Sequence, residues 1–353
     1  MAAGAGECTC PPHPDASTAV ARTTGFGQHP LMRYVEVGGV RVSAIGLGTW
    51  QFGSGEWGYG DDYARHEAAA IVSRALELGV NLVDTAEVYG RGRSETIVGE
   101  AIRGRRDEVF LATKLLPIMP LPPIVEWRAR ESARRLGVER IDLYQVHWPN
   151  PVVRDGPIME GMRRVLDSGL VAHAGVSNYP LARWQRAESV LGRPVLSNQV
   201  RYNLVQRKPE QKLLPWAQRE GRIVIAYSPL AQGFLSGRYD AEHLPGGSAR
   251  RTNLLFLPEN MTRASELVDT LRSIAKQHDA TPSQVALAWL IRQPNVVAIP
   301  GASSVAQLET NVAAADLELS DDEARMLVDV ADRFVAVNGP AALPALARRV
   351  IGR

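Results

Sequence analysis

The chain has 353 residues, 45% of them hydrophobic, and its 40 Lys and Arg nearly balance its 38 Asp and Glu. That balance excludes a basic field built to attract nucleic acid or an anionic membrane surface, and no apolar run is long enough to cross a bilayer. The length admits two ordinary domains or one large α/β barrel.

Residues 1–31 are rich in Ala, Gly, Pro and Thr, with Glu7, Asp15 and Arg22 as their only charges. They cannot build a core and are expected to form a disordered extension, without the basic start and continuous apolar stretch of a secretory signal. Cys8 and Cys10, the only cysteines, both fall there. The body therefore has no thiol to cross-link or to hold a metal, which points to a reducing cytoplasm. With no second cysteine pair, C-x-C reads as an incidental pair in a tail rather than half a metal site.

From Arg33, RYVEVGGVRVS alternates apolar and polar residues about Gly38-Gly39, the pattern of a two-residue β-hairpin. Eight short apolar runs follow: AIGLGT from Ala44, NLVDTA from Asn81, EVFLATK from Glu108, IDLYQVH from Ile141, VAHAGVS from Val171, VLSNQV from Val195, IVIAYSP from Ile223 and VVAIPG from Val296. Between them lie amphipathic segments such as HEAAAIVSRALELG and WRARESARRLG. Gly79, Gly104, Gly137, Gly169, Gly192 and Gly221 fall where helices should stop. Apolar strands alternating with helices predict a parallel sheet covered by helices, and eight such units predict closure into a (β/α)8 barrel. A doubly wound sheet would want a glycine-rich G-x-G-x-x-G turn, and the chain has none. The expected organisation is a barrel over residues 32–337 with extra C-terminal helices, a polar connection from Gly237 to Asn260, and an unassigned basic tail over 338–353. TPSQ from Thr281 and SDDE from Ser320 both fit helix-opening capping boxes.

In a β/α barrel the pocket lies at the carboxyl ends of the strands, so the polar residues ending the runs are the informative ones. These are Thr49, Asp84, Lys114, His147, Ser177 with Asn178, Gln199, Tyr227 with Ser228, and the segment around Ser303. Five positions beyond Asp84, Tyr89 follows on the same loop. A tyrosine with an ordinary pKa of about 10 is a poor acid near neutrality unless a cation stabilises its phenolate. Lys114 can supply that cation, Asp84 can keep Lys114 charged, and His147 can orient a carbonyl oxygen. Taken singly, Asp84 also fits a helix cap, Lys114 a structural ion pair and His147 a satisfied core residue; it is their joint placement that points to proton chemistry.

The stretches VDTAEVYG, FLATK, DLYQVHWP, GVSN, AYSPLAQGFLSG and IPGASSVAQLETN together resemble the aldo-keto reductase superfamily, in the branch that includes potassium-channel β-subunits and bacterial reductases. The resemblance runs from about Met32 to Phe334. It implies a nicotinamide cofactor, NADPH with NADH as the alternative, and a small-molecule aldehyde or ketone as substrate. It also implies Tyr89 as general acid, Lys114 and Asp84 as its tuning pair, and His147 as the carbonyl-orienting residue. Ser177, Asn178 and Gln199 would meet the nicotinamide carboxamide, Tyr227 would stack on the ring, and Gly48, Thr49 and Trp50 would border that end. Ser228, Leu230, Gly233, Leu235 and Arg238 would wrap the pyrophosphate, and Gly301, Ser303, Ser304, Gln307 and Asn311 the adenosine end. Ser304 and Gln307 equally fit a capping box. Trp50, Trp57 and Trp148 are candidate walls of a substrate pocket.

The main rival reading is a cofactor-sensing regulatory subunit with little turnover. Glycoside hydrolysis would need a second carboxylate opposite Asp84, and Glu87 is too near in sequence. Metal-dependent hydrolysis would need a ligand motif such as H-E-x-x-H, which is absent. No metal, nucleic acid or membrane is expected as a partner, and the oligomeric state stays open.

Overall fold

The computed structural model describes residues 32–53 and 61–351; the expected N-terminal extension and Trp57 lie outside them. Strands β1 (Tyr34–Val37) and β2 (Val40–Ser43) pair antiparallel as the predicted hairpin, with Gly38 and Gly39 both at positive φ. There follow β3 (Leu47–Gly48), α1 (Asp61–Glu77), β4 (Leu82–Asp84), α2 (Arg93–Ala101), β5 (Phe110–Leu115), α3 (Pro122–Leu136) and β6 (Ile141–Val146). The alternation continues through α4 (Asp155–Asp167), β7 (Val171–Ser177), α5 (Leu181–Leu191), β8 (Val195–Arg201), α6 (Leu213–Arg219) and β9 (Ile223–Tyr227). The expected polar connection carries α7 (Ser248–Arg251) and the start of α8 (Pro258–Arg263). Beyond it lie α9 (Ser265–Gln277), α10 (Pro282–Ile291), β10 (Val296–Ala298), α11 (Val305–Val312), α12 (Asp321–Arg333) and α13 (Leu343–Ile351).

All eight apolar runs are strands of one sheet, parallel and in sequence order from β3 to β10. Parallel bridges Ile45–Ala298 and Gly48–Gly301 bring the first strand against the last and close the barrel. The seam depends on small residues: a Cβ on Gly48 would stand 2.8 Å from the Ile299 carbonyl oxygen. All six glycines expected to stop helices have positive φ. Gly137 shows the mechanism: at φ 65° its N–H turns back to bond the carbonyls of Ala133 and Arg134, a conformation that costs residues with a Cβ more. Both predicted capping boxes form, at Thr281 on α10 and Ser320 on α12.

Successive residues of a strand face opposite sides of the sheet, so each barrel strand sends one set of side chains outward to the helices and one into the lumen. At the amino-terminal end the lumen is apolar. Val37, Val40 and Val42 of the hairpin pack with Leu82, Leu143, Ile225 and Val297. Asn81 fixes this plug, its side chain accepting from Ser43 N at 2.7 Å and donating to Arg41 O at 2.9 Å. Among the described residues no helix is long and apolar enough to cross a membrane.

Candidate active site

Two residues further along the same lumen faces, the chemistry changes. Leu82 is followed by Asp84, Ala112 by Lys114, Leu143 by Gln145 and then His147, and Ile225 by Tyr227. Lys114 is fully buried, and its ammonium uses all three donors: to Asp84 Oδ1 at 2.5 Å, to Thr85 O at 2.8 Å and to the Tyr89 hydroxyl at 3.2 Å. The second Asp84 oxygen accepts from Gln199 Nε2 at 2.7 Å and from Gln145 Nε2 at 3.3 Å. A buried ion pair with every ammonium proton placed and both carboxylate oxygens accepting is the condition under which burial of charge is tolerated.

Tyr89 is delivered by a tight turn after β4. Residues Tyr89–Gly92 form a kinked 3-10 turn in which Gly90 packs so closely that an added Cβ would stand 2.5 Å from Gly53 O. Glu87 anchors the turn from below, accepting from Arg128 Nη1 at 2.7 Å and from the Leu116 amide. The Tyr89 ring stacks near Trp50, centroids 6.1 Å apart, and meets the His147 ring edge-on at 5.7 Å. Trp148 leans on His147 at 4.8 Å.

The electrostatics refine the reading from sequence. Burial drives the Tyr89 phenol above its ordinary value, the Lys114 ammonium pulls it back, Asp84 pushes it up again, and the balance is upward. Lys114 therefore offsets a burial penalty rather than making Tyr89 acidic outright, and the hydroxyl keeps its proton until a stronger base forms beside it. Burial lowers the Lys114 ammonium, but Asp84 and Tyr89 outweigh it and leave it raised, hence charged. Burial, with repulsion from Lys114, pulls His147 down to about 3, so its imidazole is neutral at working pH. Among the described residues its Nδ1 is buried without a partner. An orphaned donor costs more than an orphaned lone pair, which favours the tautomer protonated on Nε2.

A cavity of about 380 Å³ opens over this cluster. Asp84, Tyr89 and His147 line it, with Gly48, Thr49, Trp50 and Trp148 on one side and Ser177, Asn178, Gln199 and Tyr227 on another. It continues past Ser228, Leu230, Gly233 and Arg238 to Gly301, Ser303, Gln307 and Asn311. Asn178 is a node: its amide donates to His147 O at 3.3 Å and Ser177 Oγ at 3.0 Å, and its Oδ1 accepts from the Tyr227 hydroxyl at 3.0 Å. Asn178, Ser228, Ala231 and Gln232 all hold positive φ, a conformation that side chains resist and that functional loops tend to preserve.

Four expected contacts are arranged differently. Leu235 is fully buried in the core, and its amide, like that of Gly233, donates to the Leu230 carbonyl, closing the loop on itself. Ser304 caps α11, accepting from the Gln307 amide at 3.2 Å, and does not line the cavity. The return arm of its capping box is displaced: Gln307 Oε1 accepts from the amide and hydroxyl of Ser303, at 2.7 and 2.8 Å. Gln199 has its amide nitrogen engaged by Asp84, leaving Oε1 as its remaining acceptor. Conversely, Gln145, Gln51, Arg201 and Arg250 belong to the site or its walls and were not foreseen. For Gln145 the signal was present, since it stands two before His147 on one lumen face.

A closed parallel barrel with an ionisable cluster at its carboxyl end and, among the described residues, three arginines against one carboxylate around the cavity defines an enzyme-type barrel that favours an anionic ligand. Comparison with known proteins supplies the family: the Aldo/keto reductase family model matches residues 44–332, and the chain belongs to that family. It is 56% identical over 323 residues to the "Uncharacterized oxidoreductase Rv2298" of Mycobacterium tuberculosis, covering 91% of this chain and 100% of that protein. It is 33% identical over 291 residues to the "Methylglyoxal reductase YeaE" of Escherichia coli, covering 82% and 91%. Among solved structures, an aldo/keto reductase from Klebsiella pneumoniae in complex with NADP and acetate superposes with a TM-score of 0.70 at 31% identity, covering 86% of this chain and 99% of that one.

Proposed function

We propose that the chain reduces an aldehyde or ketone to an alcohol with NADPH, Tyr89 acting as the general acid. The observation that carries this reading is the Lys114 ammonium shared between Asp84 and the Tyr89 hydroxyl beneath a cavity mouth that His147 also faces. The residues present fit a dinucleotide. Ser177, Asn178 and Gln199 offer the hydroxyl and amide groups that a carboxamide needs, and Tyr227 offers an aromatic face. Arg238 and Arg250 offer charge for phosphates, and Gly301, Ser303, Gln307 and Asn311 would hold the adenosine end. A Klebsiella pneumoniae relative bound to NADP supports the same choice.

When bound, the reduced nicotinamide supplies a hydride from C4. The chain's own residues do the rest. His147, neutral and protonated on Nε2, donates to the substrate oxygen and fixes the carbonyl. As that oxygen gains negative charge, the Tyr89 hydroxyl gives up its proton to it. Lys114, 3.2 Å away, stabilises the phenolate left behind, and Asp84 keeps Lys114 charged while this happens. Trp50 and Trp148 flank the reacting end and shield it from water.

The test is steady-state oxidation of NADPH and of NADH by purified protein across small reactive aldehydes and ketones. The expected result is turnover with NADPH preferred. Tight NADPH binding with no turnover across the panel would instead favour a cofactor-sensing role.

A further inference from the structure

The three arginines around the cavity are not equivalent. Arg250 donates to Gln232 O at 3.1 Å, and Arg238 belongs to the loop proposed to wrap the pyrophosphate. Arg201 stands elsewhere, at the carboxyl end of β8, two residues beyond Gln199 and in register with Tyr227. It therefore shares their lumen face. Its guanidinium lies 5.6 Å from the centre of the Tyr227 ring, and among the described residues it has no hydrogen-bond or ion-pair partner.

Arg201 also marks a junction. A second groove of about 740 Å³ adjoins the main cavity, walled by segments 252–255 and 334–338, and Arg201, Ser228 and Gln232 line both. Among the described residues, the only carboxylate lining the main cavity is Asp84, already neutralised by Lys114, and none lines the groove. Among the same residues, an anion placed here meets an unpaired cation and no carboxylate other than the paired Asp84.

Resting on the reductase reading above, we propose that Arg201 determines substrate specificity, selecting carbonyl compounds that carry a carboxylate or phosphate a few carbons from the reacting carbon. The planar guanidinium pairs such a group through two parallel N–H donors, and the adjoining groove accommodates the rest of the molecule. The chemistry at the carbonyl is unchanged; Arg201 acts by binding.

The experiment uses the full-length protein and a matched pair, butanal and 4-oxobutanoate, with NADPH. In R201M, KM for 4-oxobutanoate should rise about 10- to 100-fold with kcat little changed, while KM for butanal and for NADPH stay within about twofold. R201K should recover only part of the loss, because an ammonium lacks the fork. Equal losses on both aldehydes would show a structural role, and a raised NADPH KM would show a cofactor-phosphate ligand; either overturns the proposal. Calorimetry with unreactive succinate reads the same site without chemistry. Binding by wild type that is lost in R201M supports the proposal, and binding absent from wild type or unchanged in R201M contradicts it. Failure of wild type to reduce either aldehyde would sink the reductase reading and leave the calorimetric result to decide on Arg201.

Discussion

Leu143 and Ile225 close the lumen against the hairpin at one end of the barrel; two residues along the same strands, Gln145 and Tyr227 face the site. The backbone is common to both ends, and only the side chains differ. At the plugged end, burying Val37, Val40, Val42 and their partners contributes roughly 1.5–3 kcal/mol per large side chain. At the open end the buried Lys114–Asp84 pair contributes little net stability, because removing two charges from water offsets most of their attraction. The plugged end holds the barrel together so that the open end can keep groups whose arrangement suits chemistry better than packing.

That contrast is broken most visibly at Lys114. Lys114→Met should lower carbonyl reduction by about 10³-fold or more, since among the described residues Lys114 is the group that offsets the burial of Tyr89. It should also destabilise the fold by about 3–5 kcal/mol, because Asp84 stays buried without its cation. Denaturant unfolding beside steady-state rates reads both effects, and a variant with normal turnover would contradict the role given to Lys114. At the other end, Leu143→Ala should destabilise by about 2–5 kcal/mol through the cavity it leaves, with kcat/KM of the folded protein within about twofold of wild type. A large catalytic loss there would mean that the two ends are coupled.

A smaller effect sharpens the comparison through pH. The unfolded chain protonates His147 near 6.5, whereas the native state does so only near 3. The unfolded state therefore binds more protons between those values, and the stability contributed by neutral His147 is complete above about pH 6.5 and lost as pH falls toward 3. On the order of 2 kcal/mol should disappear between pH 6.5 and 4, and His147→Gln should flatten that slope. An unaltered slope in the variant would place the titration elsewhere. Catalysis should show no histidine-like inflection near pH 6.5.

The strand ends were legible in the sequence because polar residues stand at or near the ends of the apolar runs, and the helix stops because a left-handed cap favours glycine. Asp84, Lys114 and His147 stood out for that reason, and Tyr89 by its nearness to Asp84. Gln145 was hidden inside the run YQVH, where a polar residue in mid-strand looks like an interruption until period two aligns it with His147. Arg250 lies in a connection with no hydrophobic period, so nothing in the chain points it toward the cavity. Leu235 was expected to offer its backbone N–H because GFLSG reads as an open loop, while in the fold that amide turns back to the Leu230 carbonyl and the side chain enters the core. The displaced return arm of the Ser304 cap follows from Gln307 meeting two donors on Ser303, a preference that spacing alone does not encode.

The most direct test of the account is a comparison of Tyr89→Phe with wild type, measuring NADPH affinity by fluorescence and single-turnover reduction of a reactive aldehyde. The ring and its contacts with Trp50 and His147 stay, and only the proton donor goes. The account predicts NADPH affinity within about twofold and reduction slowed by about 10²- to 10⁴-fold; undiminished reduction by the variant would contradict it.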